Sequence, residues 1–345
     1  MTYQRPEKLK AGDTVAVISP SWGGATRFPH IYQNGLKVLR EWGLKIKEYP
    51  STRADVEFLR ANPDFRAKDV NDAFSDSEVK AIFSSIGGDD SVRILPFLNK
   101  KAILDNPKIL MGYSDTTTLH VFCNQLGLVT FYGPSIMAGF SQMENLPPDF
   151  EKHVKNMLFG ASKDLAYAPY DKYCDGYLDW NDVANTGKTN ELKAVSGWRW
   201  LQGKTPAEGE LFGGCLEVLE MMKATPFWPK PEHWEGKIFF LETSENKPPL
   251  AQVEHELRNY GAQGVFNKIR GLLFGRARDY SDDEKLALDK VIVRIVRGEF
   301  GQANLPIVSN VDFGHTDPQL VLPLGTVMRI DPTNRSLILL ENPVL

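Results

Sequence analysis

The chain has 345 residues, long for one hydrophobic core, so two domains are the expectation. Its 42% hydrophobic and 24% charged residues fit an ordinary globular protein, and a net charge of −4 argues against nucleic-acid or membrane partners, which favour basic surfaces. Cys123, Cys174 and Cys215 lack metal-ligand spacing and the six histidines are scattered without an HExxH, so neither a metal nor a cofactor is expected. The N-terminal MTYQRPEKLKAGDTVAVIS has no apolar leader core, and the thiols read as buried and free in a reducing cytoplasm.

Over the first 140 residues, β-rich runs alternate with amphipathic stretches. TVAVIS (14–19) reads as a buried strand broken by Pro20. HIYQNGLKVLREWG (30–43) spaces its apolar residues at helical intervals and stops at Gly43. A strand over LKIKEY, a helix around FRAKDVNDAFSD (65–76) and a strand VKAIFSSIGG (79–88) follow, then a short helix over SVRILPFLN. KILMG (108–112) is a fourth strand, Asp115 to about Leu126 a helix, and LVTFYGPS a fifth strand. Repeated βα units predict a parallel sheet with helices on both faces. Ligands of such sheets sit beyond the carboxyl ends of the strands, where Gly87-Gly88 and Ser114 fall.

Residues 141–207 are rich in Pro, Gly, Asn, Asp and aromatics and read as a linker with an elaborated loop region. A second block then begins. GKIFFLETSE (236–245) is a strand ending in acids, PLAQVEHELRNYG (249–261) a helix, KIRGLLFGRA a strand and DEKLALDKVIVRIVRG (283–298) a long helix. LPIVSNVDFGH runs as a strand into a turn, and TVMRI-DPTNRS-LILLE is a hairpin. The expected division is 1–140, 141–207 and 208–345.

Strand, Gly-x-Ser-x, helix is the geometry of a nucleophile elbow, and KILMGYSDTTTLH (108–120) has it without the second glycine. The pentapeptide alone leaves two readings open, since a serine before a helix is also a common N-cap. A nucleophilic serine needs a base and an orienting acid. His120 lies on the same helix and is expected to face away, whereas His315 sits in a Gly-His turn just past a strand, where an active-site loop would carry a base. Glu242 follows three large apolar residues, so burial would demand a partner for its charge. Glu245 falls further into the loop and reads as solvated or substrate-facing.

Together these segments resemble the LD-carboxypeptidase family of serine peptidases, and in particular its microcin C immunity branch. VAVISPS, DVNDAFSDSEVKAIFSSIGG, NPKILMGYSDTTTLH, GELFGGCLEVL, KIFFLETSE and NVDFGHTDPQLVLPLG occur in the family's order over nearly the whole chain. The resemblance implies an α/β fold, with a flavodoxin-like N-terminal parallel-sheet domain and a smaller β-rich C-terminal α/β domain. It also implies a Ser-Glu-His triad of Ser114, Glu242 and His315, closing only where the two domains meet. The backbone amides of Asp115 and Gly88 would form the oxyanion hole, with Gly87 allowing close approach of substrate; the Asp115 side chain reads as a helix-start acid.

The substrate expected from the resemblance is a small peptidyl- or aminoacyl-nucleotide, cleaved at an amide near a free carboxylate. The alternative is a muropeptide tetrapeptide losing its terminal D-alanine. Ile86 stands where peptidoglycan-recycling members commonly carry arginine. The long aromatic insert, with Trp180, Trp198 and Trp200, favours the first substrate, Trp180 being the positional match for a base-stacking aromatic; the other reading is that these tryptophans pack the domain interface. Cys215 replaces the asparagine of the family's GGNL pattern and reads as a passive small residue rather than a second nucleophile; Lys247 is the candidate for pairing with a substrate carboxylate, a solvated loop lysine being the competing reading. A homodimer is implied by the family, and a non-catalytic binding module would instead leave Ser114, Glu242 and His315 far apart.

Overall fold

Five buried or half-buried runs build the first sheet: β1 (Thr14–Ile18), β2 (Lys45–Glu48), β3 (Val79–Ser84), β4 (Ile109–Gly112) and β5 (Thr130–Tyr132). The computed structural model describes residues 3–160 and 164–345; residues 1–2, and 161–163 inside the aromatic-rich stretch, lie outside it. The five strands pair in parallel in the order β2-β1-β3-β4-β5, the flavodoxin-like order. β1, β3 and β4 are almost wholly buried, as continuous apolar runs in a sheet covered on both faces should be. Among the covering helices, Pro29–Glu41 and Pro63–Ser75 both begin on proline, whose fixed φ suits a first helical position.

The next strands in chain order are β6 (Leu165–Tyr167), β7 (Lys172–Asp175), β8 (Lys193–Ala194), β9 (Arg199–Gln202) and β10 (Ala207–Cys215). β11 (Ile238–Glu242), β12 (Gly271–Gly275), β13 (Ile307–Val311) and β14 (Thr316–Asp317) follow. The chain closes with β15 (Leu322–Leu324), β16 (Val327–Asp331) and β17 (Ser336–Leu339). The second sheet runs β6-β17-β16-β10-β11-β12-β13-β9, with β10 to β13 parallel at its centre and antiparallel strands outside them. β16 and β17 form the expected hairpin. A small sheet, β14-β7-β8, ties the aromatic-rich stretch to the loop after β13.

Two features differ from the sequence expectation. The stretch 141–207 is not only linker and loop: it holds the helix Pro148–Phe159 and supplies β6 and β9 to the two edges of the second sheet. Pro148, one of the prolines that mark this stretch as loop-like by composition, is the first residue of that helix. The second difference is β15, which leaves the C-terminal block and pairs antiparallel with β5, completing the first sheet. Each half of the chain is therefore anchored into the other.

Candidate active site

β4 ends on Gly112, and one tight turn over Ser114–Thr116 carries the chain straight into the helix Thr117–Gln125. Ser114 takes a φ of 57°, a left-handed value that costs a residue with a Cβ about 1 kcal/mol or more. Glycines make room for the corner. A Cβ on Gly112 would lie 2.8 Å from Thr116 Oγ1, and one on Gly87 would lie 2.9 Å from Ser114 Cβ.

The other two members come from the second sheet. Glu242 is the last residue of β11 and is fully buried. His315 lies in the turn after β13, where Gly314, at φ 96°, passes so close that a Cβ would sit 2.6 Å from Glu242 Oε2. His315 Nδ1 donates to Glu242 Oε2 at 2.7 Å, and His315 Nε2 lies 3.0 Å from Ser114 Oγ. The three residues thus form one hydrogen-bonded chain across the two sheets, the opposite of what a binding module without chemistry predicts. The histidine turn is braced by buried Asp312, which pairs with Arg276 and accepts a 2.7 Å bond from Trp198 Nε1.

Sequence reasoning missed Tyr132, the last residue of β5. Its hydroxyl donates to Glu242 Oε1 and accepts from the Ser114 backbone N–H at 3.2 Å, so it joins the acid to the elbow. It also passed over the contact made by Glu245, whose Oε2 lies 2.9 Å from His315 Nε2. Burial pushes the Glu242 carboxyl up, and His315 and Tyr132 pull it back. Burial also works against charge on His315, but Glu242 and then Glu245 outweigh it and raise the imidazole to about 10. The bond to His315 holds Glu245 down, at about 2.

Gly88, at φ 151°, turns the loop beside the serine, and a Cβ there would fall 2.1 Å from Ser21 Oγ. The Asp115 carboxylate, expected as a helix-start acid, also clamps that loop: Oδ2 accepts from Asp90 N at 3.1 Å and Ser91 N at 2.8 Å. His120 is turned back onto β4, its Nε2 lying 2.8 Å from Gly112 O.

Two cavities meet at Ser114. The larger, about 570 Å³, runs past His315, Gly87 and Gly88 and is walled by Trp22, Phe28, Tyr177 and Trp180, with Arg278 at its side. Trp180 packs edge-on to Phe28 at 5.5 Å and stands 5.4 Å from Tyr177. The smaller, about 360 Å³, holds Cys215, Glu217, Met221 and Gln252, and shares Gly88, Ser114, Glu245 and Asn246 with the first.

Of the remaining sequence candidates, Lys247 departs from its expected place. Trp198 and Trp200 are structural: the first bonds Asp312, the second pairs with Val308 in the sheet, and neither lines a cavity. Lys247 is not among the residues lining either cavity; its ammonium lies 3.0 Å from Glu284 on the surface. Cys215 does line the smaller cavity, but burial and neighbouring carboxylates push its thiol far up, so it is a passive wall. Among the described residues no cluster of three or more His, Cys, Asp or Glu side chains is arranged to hold a metal, and no helix is long and apolar enough to cross a membrane.

Residues 15–133 match the LD-carboxypeptidase N-terminal domain and residues 208–330 the LD-carboxypeptidase C-terminal domain. The chain belongs to the LD-carboxypeptidase family. It is accordingly a serine carboxypeptidase-type enzyme. Its relatives include the microcin C7 self-immunity protein MccF of Escherichia coli, 28% identical over 96% of this chain and 94% of that protein. A probable murein peptide carboxypeptidase of Bacillus subtilis is 26% identical over 97% and 94%. Among solved structures, MccF in complex with aspartyl sulfamoyl adenosine superposes with a TM-score of 0.88 at 26% identity, covering 99% of this chain and 100% of that one. An MccF-like protein from Streptococcus pneumoniae in complex with AMP gives 0.83 at 29% identity, covering 96% and 99%.

Proposed function

We propose that Ser114, Glu242 and His315 are the catalytic triad of this enzyme, and that its substrate is an aminoacyl- or peptidyl-nucleotide conjugate cleaved at the acyl amide. Ser114 Oγ attacks the carbonyl while His315 Nε2 takes its proton. The tetrahedral oxyanion is held by the backbone N–H groups of Gly88 and Asp115. The C–N bond then breaks as His315 returns the proton to the leaving nitrogen. Water, deprotonated by the same imidazole, releases the acyl group from Ser114. Glu242 keeps Nδ1 protonated and balances the imidazolium.

The observation that carries the substrate assignment is the aromatic wall of the larger cavity. Trp22, Phe28, Tyr177 and Trp180 offer stacking faces beside the serine, and Arg278 offers a cation to a phosphate or sulfamate. That cavity contains His315, the proton donor to the leaving nitrogen, so the nucleotide half belongs there and the acyl half in the smaller cavity. Relatives support the reading, since solved MccF structures hold aspartyl sulfamoyl adenosine and glutamyl sulfamoyl guanosine. The muropeptide reading is favoured by the probable murein peptide carboxypeptidase of Bacillus subtilis.

The test is a mass-spectrometric hydrolysis assay with an aminoacyl sulfamoyl adenosine and a muropeptide tetrapeptide side by side, each with wild type and Ser114→Ala. Serine-dependent release of sulfamoyl adenosine is expected, with Trp180→Ala raising KM roughly tenfold or more through lost stacking. Cleavage of the tetrapeptide alone would overturn the nucleotide assignment, and cleavage by Ser114→Ala would overturn the triad. A homodimer belongs to the same reading, and a single-subunit mass by light scattering would remove it.

A further inference from the structure

His315 Nε2 has two neighbours competing for it. Ser114 Oγ is 3.0 Å away and Glu245 Oε2 is 2.9 Å away. A carboxylate oxygen is an acceptor only, so at that distance Nε2 must carry a proton for the contact to be attractive. Nδ1 already donates to Glu242, so the ring in this arrangement is an imidazolium. An imidazolium cannot take the serine's proton. The arrangement is therefore an idle one, and Glu245 has to leave Nε2 before Ser114 can attack.

The position of Glu245 says what would draw it away. Its side chain is 52% exposed, on the loop after β11, and it borders both cavities where they meet at Ser114. A substrate whose carbonyl sits against Ser114 brings the group next to that carbonyl onto the Glu245 carboxylate. Among the described residues, the smaller cavity, which takes the acyl half, is lined by Asp89, Glu217 and Glu245 and by neither a lysine nor an arginine. Glu217 Oε1 is already occupied by Ser244, accepting from its N at 2.9 Å and its Oγ at 2.6 Å, and of these acids it is Glu245 that also reaches the base.

We infer that Glu245 is a positioning residue that caps His315 in the free enzyme and is released by the free α-ammonium of an aminoacyl substrate. Its carboxylate exchanges the ring for the ammonium, Nε2 loses its proton to solvent, and the base is freed more readily when an amine lies beside the scissile carbonyl. The device makes the enzyme selective for aminoacyl conjugates with an unblocked amine over N-acylated ones. This rests on the hydrolase reading above. The ring is faced by Tyr113 and Ser114 from the elbow, Glu242 and Glu245 from β11 and its loop, and Asp317 from its own loop, while Arg278 acts on Glu245 and Asp317. Among the described residues, only Glu245 of the carboxylates touches Nε2, so its removal should lower the ring's affinity for a proton while leaving the Glu242 bond in place.

The experiment has a substrate-free arm and a kinetic arm. In 15N-histidine-labelled protein without substrate, the His315 resonances, assigned by their loss in His315→Asn, are titrated in wild type and Glu245→Gln. The variant is expected to titrate about one pH unit lower. In the kinetic arm, kcat/KM is measured against pH for an aminoacyl sulfamoyl adenosine and its N-acetyl derivative. Wild type should prefer the free amine by roughly threefold to fivefold, the reach of a half-exposed ion pair. Glu245→Gln should abolish that preference and move the acid limb to lower pH, and Glu245→Asp should restore part of both. An unchanged His315 titration overturns the cap whatever the activity, and an unchanged amine preference overturns the selectivity. A shifted titration with no cleavage of either conjugate by wild type would sink the hydrolase reading while supporting the cap.

Discussion

Replacing Tyr132 with phenylalanine removes one oxygen and nothing else, and that oxygen connects the acid to the elbow. Phenylalanine fills the same volume, so no cavity opens and the cost is confined to hydrogen bonding. Glu242 Oε1, fully buried, loses its donor, and a lost bond to a charged group costs about 1.5–3 kcal/mol. The Ser114 N–H loses its acceptor at 3.2 Å, about 1 kcal/mol more. The variant should therefore unfold about 2.5–4 kcal/mol more easily. Losing the Tyr132 bond also pushes the Glu242 carboxyl further up, which weakens its hold on His315 and should cut kcat roughly tenfold. Urea unfolding with an unchanged m-value measures the first effect. Repeating it in a Glu242→Gln background, where no carboxylate needs the donor, should show a coupling of about 1 kcal/mol or more. Tyr132→Phe unfolding within about 0.5 kcal/mol of wild type, at full activity, would refute the argument that the hydroxyl holds the site together.

Two further perturbations probe strain and burial. Ser114 sits at φ 57°, so Ser114→Gly should be about 1 kcal/mol more stable than Ser114→Ala in the same denaturation assay, and equal stability would mean the corner is unstrained. Burial raises the Glu256 carboxyl to about 7, and its Oε2 has no hydrogen-bond partner among the described residues. A carboxyl raised on folding favours stability fully below its ordinary value near 4.5 and loses it as pH climbs through 7. Glu256→Gln should accordingly raise Tm at pH 8 and leave it nearly unchanged at pH 4. An equal change at both would assign the effect to packing.

The elbow and its two partners were legible because each leaves a local mark. Ser114 follows a strand-ending glycine, Glu242 follows three apolar residues, and His315 follows a glycine past a buried strand. The parallel sheets were legible for the same reason, through apolar runs alternating with helical periodicity. Tyr132 was not, because in the sequence it is one more aromatic at the end of a strand, and its partner Glu242 is 110 positions away. Nor could Lys247 be placed, since a loop lysine goes to whichever carboxylate folding brings near, here Glu284. Aromatic residues misled in the insert: Trp180 walls a cavity while Trp198 and Trp200 hold a loop and a sheet edge, and composition cannot tell these roles apart. The helix Pro148–Phe159 was hidden by its own prolines.

The pairing of β15 with β5 has a consequence for how the chain is made. β5 is complete at Tyr132, but its partner Leu322 leaves the ribosome about 190 residues later. At about 5–20 residues per second, that interval is roughly 10–40 s, during which the nascent first sheet has an unpaired apolar margin. Such margins invite pairing with neighbouring chains on the same message. Truncation just before Val321 would make the delay permanent and would also strip β16 and β17 from the second sheet, leaving every residue of the candidate triad present and both sheets open to strangers.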